Sequence, residues 1–125
     1  MTVLLIIEKA EEGFQGRINY DGNLIVESAD TLHNLENGIR QALARFHEVD
    51  PSSVTFEHNY DLTVLFEKLS YLKISSVAER ANMHPGLLRQ YVSGVKYPSA
   101  IQAQKIEEAI HAIAKELSGI RVFTK

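Results

Sequence analysis

Residues 74–99, ISSVAERANMHPGLLRQYVSGVKYPS, constrain this chain more than any other stretch, because they set two short amphipathic segments around a tight reversal. Val77, Ala78 and Ala81 give the first segment one apolar face, and Leu88, Tyr91 and Val92 give one to the second. Asn82 falls where the chain must turn, and Asn tolerates left-handed backbone better than any residue but glycine. Pro85 sits in the first turn of the second segment, where a missing N–H costs nothing, and Gly94 follows its last turn. The spacing predicts a helix-turn-helix, with an ordinary helical hairpin as the other reading of the same pattern.

The rest of the chain must accommodate that module. A length of 125 residues allows one or two small domains, and 45% hydrophobic with 23% charged residues predicts packed cores rather than disorder. With no cysteine there is no disulfide, thiolate nucleophile or cysteine zinc site, which fits a reducing cytoplasm. In the opening MTVLLIIEK an apolar run, Val3 to Ile7, ends at Glu8. It is too short for a signal-peptide core or a membrane span, so it reads as a buried strand. Charge divides the chain. Residues 1–60 carry Lys9, Arg17, Arg40 and Arg45 against ten acidic residues, a net of −6, whereas residues 61–125 carry nine basic and six acidic residues, a net of +3. An acidic module joined to a mildly basic one is expected.

In order, Val3 to Glu8 is followed by the alternation of Phe14, Gly16, Ile18 and Tyr20 with polar residues, then by Asp21-Gly22 and a second alternation over Asn23 to Ser28. That is a hairpin signal, and three antiparallel strands are expected. Asp30 or Thr31 can cap a helix whose apolar positions are Leu32, Leu35, Ile39, Ala42, Leu43 and Phe46, stopped by Pro51. Ser53 to Tyr60 alternates again. The first sixty residues read β-β-β-α-β. Beyond them, Asp61 caps a helix expected over Leu62 to Leu72, with Leu65, Phe66 and Leu69 inward. After the helix-turn-helix, Ser99 and Gln102 form a capping-box pattern for a last helix with inner positions Ala103, Ile106, Ile110, Ile113 and Leu117, closed by Gly119. Ile120 to Phe123 reads as a short strand added to a sheet edge, its own or a partner chain's. The fold expected is therefore α+β, a sheet domain over 1–60 followed by an all-α domain over 61–125.

Val77-Ala78, Asn82, Met83, Leu88, Tyr91, Gly94, Lys96 and Pro98-Ser99 fall without a gap on the Cro/repressor (Xre-like) helix-turn-helix pattern, and residues 62–117 resemble that lambda-repressor-like family. Ala78 holds the place where the two helices cross closely, and Asn82 stands where the family usually has glycine. The β-β-β-α-β order, with Ile7-Glu8, Gly13-Phe14 and Ala29-Asp30-Thr31-Leu32 in place, resembles the N-terminal domain of HicB-type antitoxins, its second and third strands joined here by the tight Asp21-Gly22 turn. The resemblance implies a toxin–antitoxin role, in which the acidic sheet domain masks a small basic ribonuclease toxin and the C-terminal domain binds operator DNA.

DNA recognition needs polar groups facing base edges and basic or N–H groups facing phosphates. With Leu88, Tyr91 and Val92 inward, the outward face of the second helix carries Gly86, Arg89, Gln90 and Ser93. Arg89 can pair with guanine and Gln90 with adenine. Ser75 and Ser76 lie at the first helix's N-terminus, and the family resemblance makes Ser93, Lys96 and Ser99 backbone contacts. Ile74, Pro85 and Gly86 depart from the polar residues of the family, which leaves readout to Arg89, Gln90 and DNA shape. A net of +3 implies weak binding by one copy, so a homodimer is expected. On the acidic half, Glu11, Glu12, Glu27, Glu36 and Glu57 are the candidate contacts for the basic partner that the HicB resemblance implies.

No glycine-rich phosphate loop or His-Glu-x-x-His pattern is present, and His33, His47, His58, His84 and His111 never share an i, i+4 spacing. Glu8, Glu11 and Glu12 read as a charged strand end and solvated turn rather than a metal site. The sequence therefore predicts no cofactor and a non-enzymatic DNA-binding regulator. A protein-interaction module whose helix-turn-helix no longer binds DNA is the alternative, and a nuclease-like enzyme built on the sheet a distant third.

Overall fold

The structure, a computed structural model, describes all residues Met1–Lys125. It is α+β, with one four-stranded sheet and five α-helices, and the chain divides into two compact units, Met1–Leu65 and Phe66–Lys125. No helix is long and apolar enough to cross a membrane.

The first unit contains β1 (Thr2–Lys9), β2 (Phe14–Tyr20), β3 (Asn23–Ala29), α1 (Leu32–His47), a one-turn 3-10 helix (Pro51–Ser53) and β4 (Thr55–Tyr60). The strand order is β3-β2-β1-β4, with β1–β2 and β2–β3 antiparallel. Asp21 (φ 50°) and Gly22 (φ 77°) are both left-handed, the backbone that a two-residue hairpin turn requires. β4 returns parallel to β1, running from Thr2 opposite Thr55 to Ile7 opposite Tyr60. A parallel neighbour needs a crossover, and α1 supplies it. Thr31, rather than Asp30, caps that helix, its Oγ1 accepting from the Asn34 N–H at 3.1 Å. Ser53 belongs to the 3-10 turn, so β4 begins at Thr55.

Alternation along the strands sends one set of side chains to α1. Val3, Leu5, Ile7 and Ile18 meet Leu35, Ile39 and Leu43 there, with Val54 and Val64 closing the same core. The fit is close at Gly16, where a Cβ would lie 2.8 Å from Leu35 Cδ2. The opposite face has no helix over it. Leu4, Leu24 and Val26 are exposed there, beside an ion pair between Arg17 and Glu8. Asp61 fastens the end of β4: its N–H donates to Ile7 O at 2.9 Å, and its carboxylate accepts from Lys9 N–H at 2.9 Å and Val64 N–H at 2.8 Å.

α2 (Leu62–Lys68) begins at that cap and contains the division between the units, which thus falls after Leu65 rather than before Asp61. It stops short of the expected Leu72, because the chain tightens into a turn in which Leu72 N–H donates to Leu69 O at 2.9 Å; this leaves both leucines half-buried. The second unit continues with α3 (Ile74–Arg80), α4 (Pro85–Ser93) and α5 (Ala100–Ser118). Its core is Phe66, Val77, Ala78, Ala81, Met83, Leu88, Tyr91, Ile106 and Ala109.

Three expectations for the last part of the chain are corrected. The inner line of α5 is Ile106 and Ala109, whereas Ile110 and Ile113 are half-buried and Ala103 and Leu117 exposed. α5 packs against α3, and the small Ala109 turns inward in place of the larger Ile110. Ser99 Oγ accepts from the Gln102 N–H at 3.2 Å, but the return half of the capping box is absent, since Gln102 Oε1 is buried without a partner. Ile120 to Phe123 forms no strand.

Candidate nucleic-acid interface

The site is built from α3, the four-residue turn Ala81 to His84, and α4. Ala81 N–H returns to Val77 O at 2.9 Å and Met83 N–H to Ala78 O at 2.9 Å, while Asn82 between them takes φ 54°. Left-handed backbone costs an ordinary residue about 1–2 kcal/mol, and Asn less because its short amide bonds locally. Val77 and Ala78 of α3 and Leu88 of α4 are all fully buried, and the two helices pack on one another. A larger residue at 78 has no room.

α4 starts in a way the sequence reading missed. His84 is its N-cap, and its Nδ1 accepts the Gly86 N–H at 2.9 Å. The ring nitrogen thus takes the place that a capping hydroxyl or carboxylate oxygen usually holds. A Cβ at residue 86 would lie 3.0 Å from that Nδ1, so glycine makes room for the ring. Pro85 takes the first helical position. The signal was the triplet His84-Pro85-Gly86, hidden because His is not among the usual capping residues. α4 ends at Gly94 (φ 82°), where Val95 and Lys96 N–H groups both donate to Gln90 O, at 3.0 and 3.2 Å.

Burying Leu88 and Tyr91 fixes the rotation of α4 and leaves Arg89, Gln90 and Ser93 exposed, with Gly86 half-exposed at the start of the helix. Arg89 and Lys96 have no ion-pair partner, in contrast to Arg80, which is tied to Glu116. Ser93 is turned back on its own helix, its hydroxyl donating to Gln90 O at 3.2 Å. Ser99 is exposed but already accepts the α5 cap bond, which leaves its hydroxyl hydrogen for a ligand. Ser75 is exposed and Ser76 half-buried in the first turn of α3, whose N-cap Lys73 makes no side-chain bond. A short row of donors therefore runs from Arg89 and Gln90 to the Lys96 loop.

The five glutamates of the acidic unit do not form one patch. Glu11 and Glu12 are exposed in the β1–β2 connection, and Glu57 lies on the uncovered sheet face opposite Leu4 in register. Glu27 points from β3 towards Gly38 of α1. Glu36, on α1, is engaged by His58 of β4 and lies 3.9 Å from Arg40. Arg40 itself stacks on Phe56 at 4.8 Å and donates to Val54 O at 3.3 Å. Glu36 thus serves the α1–β4 junction, while Glu11, Glu12 and Glu57 remain open to a partner. No group of three or more His, Asp or Glu side chains comes together as a metal site.

Protein-family models, characterised protein sequences and solved structures were compared with the chain, and none matches.

Proposed function

We propose that this chain is a cytoplasmic, sequence-specific DNA-binding regulator of HicB-antitoxin type, acting as a homodimer on operator DNA through an Xre-like helix-turn-helix formed by α3 and α4. The observation that carries the reading is the exposed face of α4, where Arg89 stands without an ion-pair partner beside Gln90 while Leu88 and Tyr91 are buried behind them. These are the side chains that read guanine and adenine edges in the major groove. Lys96 and Ser99 then serve the phosphates. The acidic sheet unit holds a small basic ribonuclease toxin through Glu11, Glu12 and Glu57.

The test is a shift assay on the DNA flanking the protein's own gene. Arg89→Ala and Gln90→Ala should each weaken specific binding by about 1–3 kcal/mol, and Lys96→Ala should weaken all sequences alike. Folded variants that bind the operator as tightly as the parent would refute the assigned face.

A second reading, a protein-interaction module that has lost DNA binding, draws on Pro85, Gly86 and the inward bond of Ser93, which leave the start and end of α4 with few free polar groups. It expects no salt-sensitive binding to any duplex.

A further inference from the structure

The two edges of the sheet are built differently. β3 carries Glu27 on its helix-facing side beside Gly38, and a charge set inward at an edge discourages a further strand. β4 has no such guard: Thr55–Tyr60 reads TFEHNY, without proline, lysine or arginine, and its register with β1 runs unbroken. Thr55 N–H donates to Met1 O and Asp61 N–H to Ile7 O, both at 2.9 Å, so the odd-numbered residues of this stretch bond to β1. Phe56 and His58 therefore turn their backbone N–H and C=O groups to the open edge. Their side chains stand on the helix-facing side with Tyr60, in register with Val3, Leu5 and Ile7, whereas Thr55, Glu57 and Asn59 are exposed on the other face. α1 packs on β3 and β2 and reaches β4 with Glu36 and Arg40, so its backbone stands back from this edge.

We propose that this edge takes β4 of a second copy of the chain, antiparallel about a two-fold axis at His58, which joins the two sheets into one. This assigns a surface to the homodimer of the proposed function without drawing on DNA binding. An isologous contact must be complementary to itself after rotation, and ladder bonding sets even-numbered residues opposite even-numbered ones. Charge then selects the register. An axis at Glu57 sets that carboxylate against its own copy, and an axis at Asn59 sets it against Asp61. At His58 neither happens: Glu57 meets Asn59 of the second copy, Thr55 meets Asp61, and Phe56 meets Tyr60 as an aromatic cross-strand pair. The other acids beside the edge are answered within each copy, Glu36 by His58 and Arg40, and Asp61 by the N–H groups of Lys9 and Val64. The row of rings along β4, with centroids 6.5 Å apart from Phe56 to His58 and 5.7 Å from His58 to Tyr60, continues across the axis. The outer sheet face stays open.

The experiment is sedimentation of the full chain without DNA at micromolar concentration, where the parent should be a dimer. Asn59 is exposed on the outer face, so its variants should keep their circular dichroism. Asn59→Lys, set against Glu57 twice by symmetry, should tighten the dimer about fivefold, and Asn59→Glu should weaken it by a similar factor. Cysteine cross-linking checks the register, since the chain has no cysteine of its own. Residues 57 and 59 form a pair without ladder bonds, whose Cα separation of about 4.5 Å suits a disulfide. Glu57→Cys and Asn59→Cys chains should therefore link when mixed and oxidised, and neither should link alone. A monomeric parent, a dimer indifferent to the charge at 59, or linking by either variant alone as readily as by the mixture would each overturn the proposal. A dimer of this kind that binds no duplex would overturn the regulatory reading alone, and operator binding by a chain that fails these tests would overturn this inference alone.

Discussion

The two units bury their apolar residues to different degrees. In the sheet unit Leu5, Ile7, Ile18, Leu35, Ile39 and Leu43 are all fully buried between one sheet face and one helix. In the helical unit only Val77, Ala78, Leu88 and Ile106 reach that state, and one of these is alanine. Tyr71, Val95, Tyr97, Ile101, Leu117, Ile120, Val122 and Phe123 all lie exposed in that smaller unit. Since full burial of a large aliphatic side chain contributes about 1.5–3 kcal/mol, the helical unit has the smaller reserve and the more surface to gain from a partner. An alternating strand pattern fills a core on one face by itself, whereas three short helices enclose little. The lesson is that the sheet unit fills a core on one of its faces, whereas the helical unit leaves more of its large apolar residues outside its core.

Truncating one buried leucine in each unit breaks this comparison most directly. Leu88→Ala and Leu43→Ala should each cost about 2–5 kcal/mol. Hydrogen exchange read residue by residue should show Leu88→Ala stripping protection from 66–118 while the strands stay protected; equal loss in both units would mean that they unfold as one. A smaller effect separates two glycines of the sheet unit. Gly13 has φ 72° and a Cβ there would lie 2.2 Å from Ala29 O, whereas Gly22 has φ 77° with open space around it. Gly13→Ala should therefore cost about 3 kcal/mol and Gly22→Ala about 1 kcal/mol, read from urea midpoints. Equal shifts would remove the close approach as a cause.

The smallest effect is electrostatic. A hydrogen bond from the Asn34 side chain, with further ones from the backbone at Asp30 and Thr31, holds the exposed Asp30 carboxyl below its ordinary value of 3.8. A carboxyl whose pKa is depressed by folding stabilises above its unfolded value, and that contribution fades as pH falls through the folded one. The stability difference between the parent and Asp30→Asn should accordingly be present at pH 6 and vanish at the acid end of a titration. A difference independent of pH would show that the charge is not its source.

Much of the fold was legible because its signals are local. Asp21-Gly22 states its turn, strand alternation states which side chains face α1, and Asn82, Pro85 and Gly94 punctuate α3 and α4. The parallel return of β4 to β1 was not legible, since no local residue chooses between the two edges of a three-stranded sheet. The buried line of α5 was misread for a related reason: apolar residues on two sides of one helix do not say which side its own chain will cover. At the candidate interface, the exposed face of α4 follows from its buried one, but the imidazole of His84 substituting for a capping hydroxyl or carboxylate required coordinates.

β1 is the earliest of the four strands to be synthesised and lies inside the finished sheet, between β2 and β4. Its β2 side is covered as soon as the hairpin forms. The other side waits for Thr55–Tyr60, and at ribosomal speeds of about 5–20 residues per second that delay is about 3–10 seconds. Through that interval a run of Val3, Leu4, Leu5, Ile6 and Ile7 presents unpaired N–H and C=O groups to any neighbouring nascent chain. Closing the pair afterwards means bringing together segments some fifty residues apart, a slow step by loop entropy. A chain halted before Tyr60 therefore leaves the β4-facing edge of β1 open, and that edge is where such a fragment is expected to aggregate.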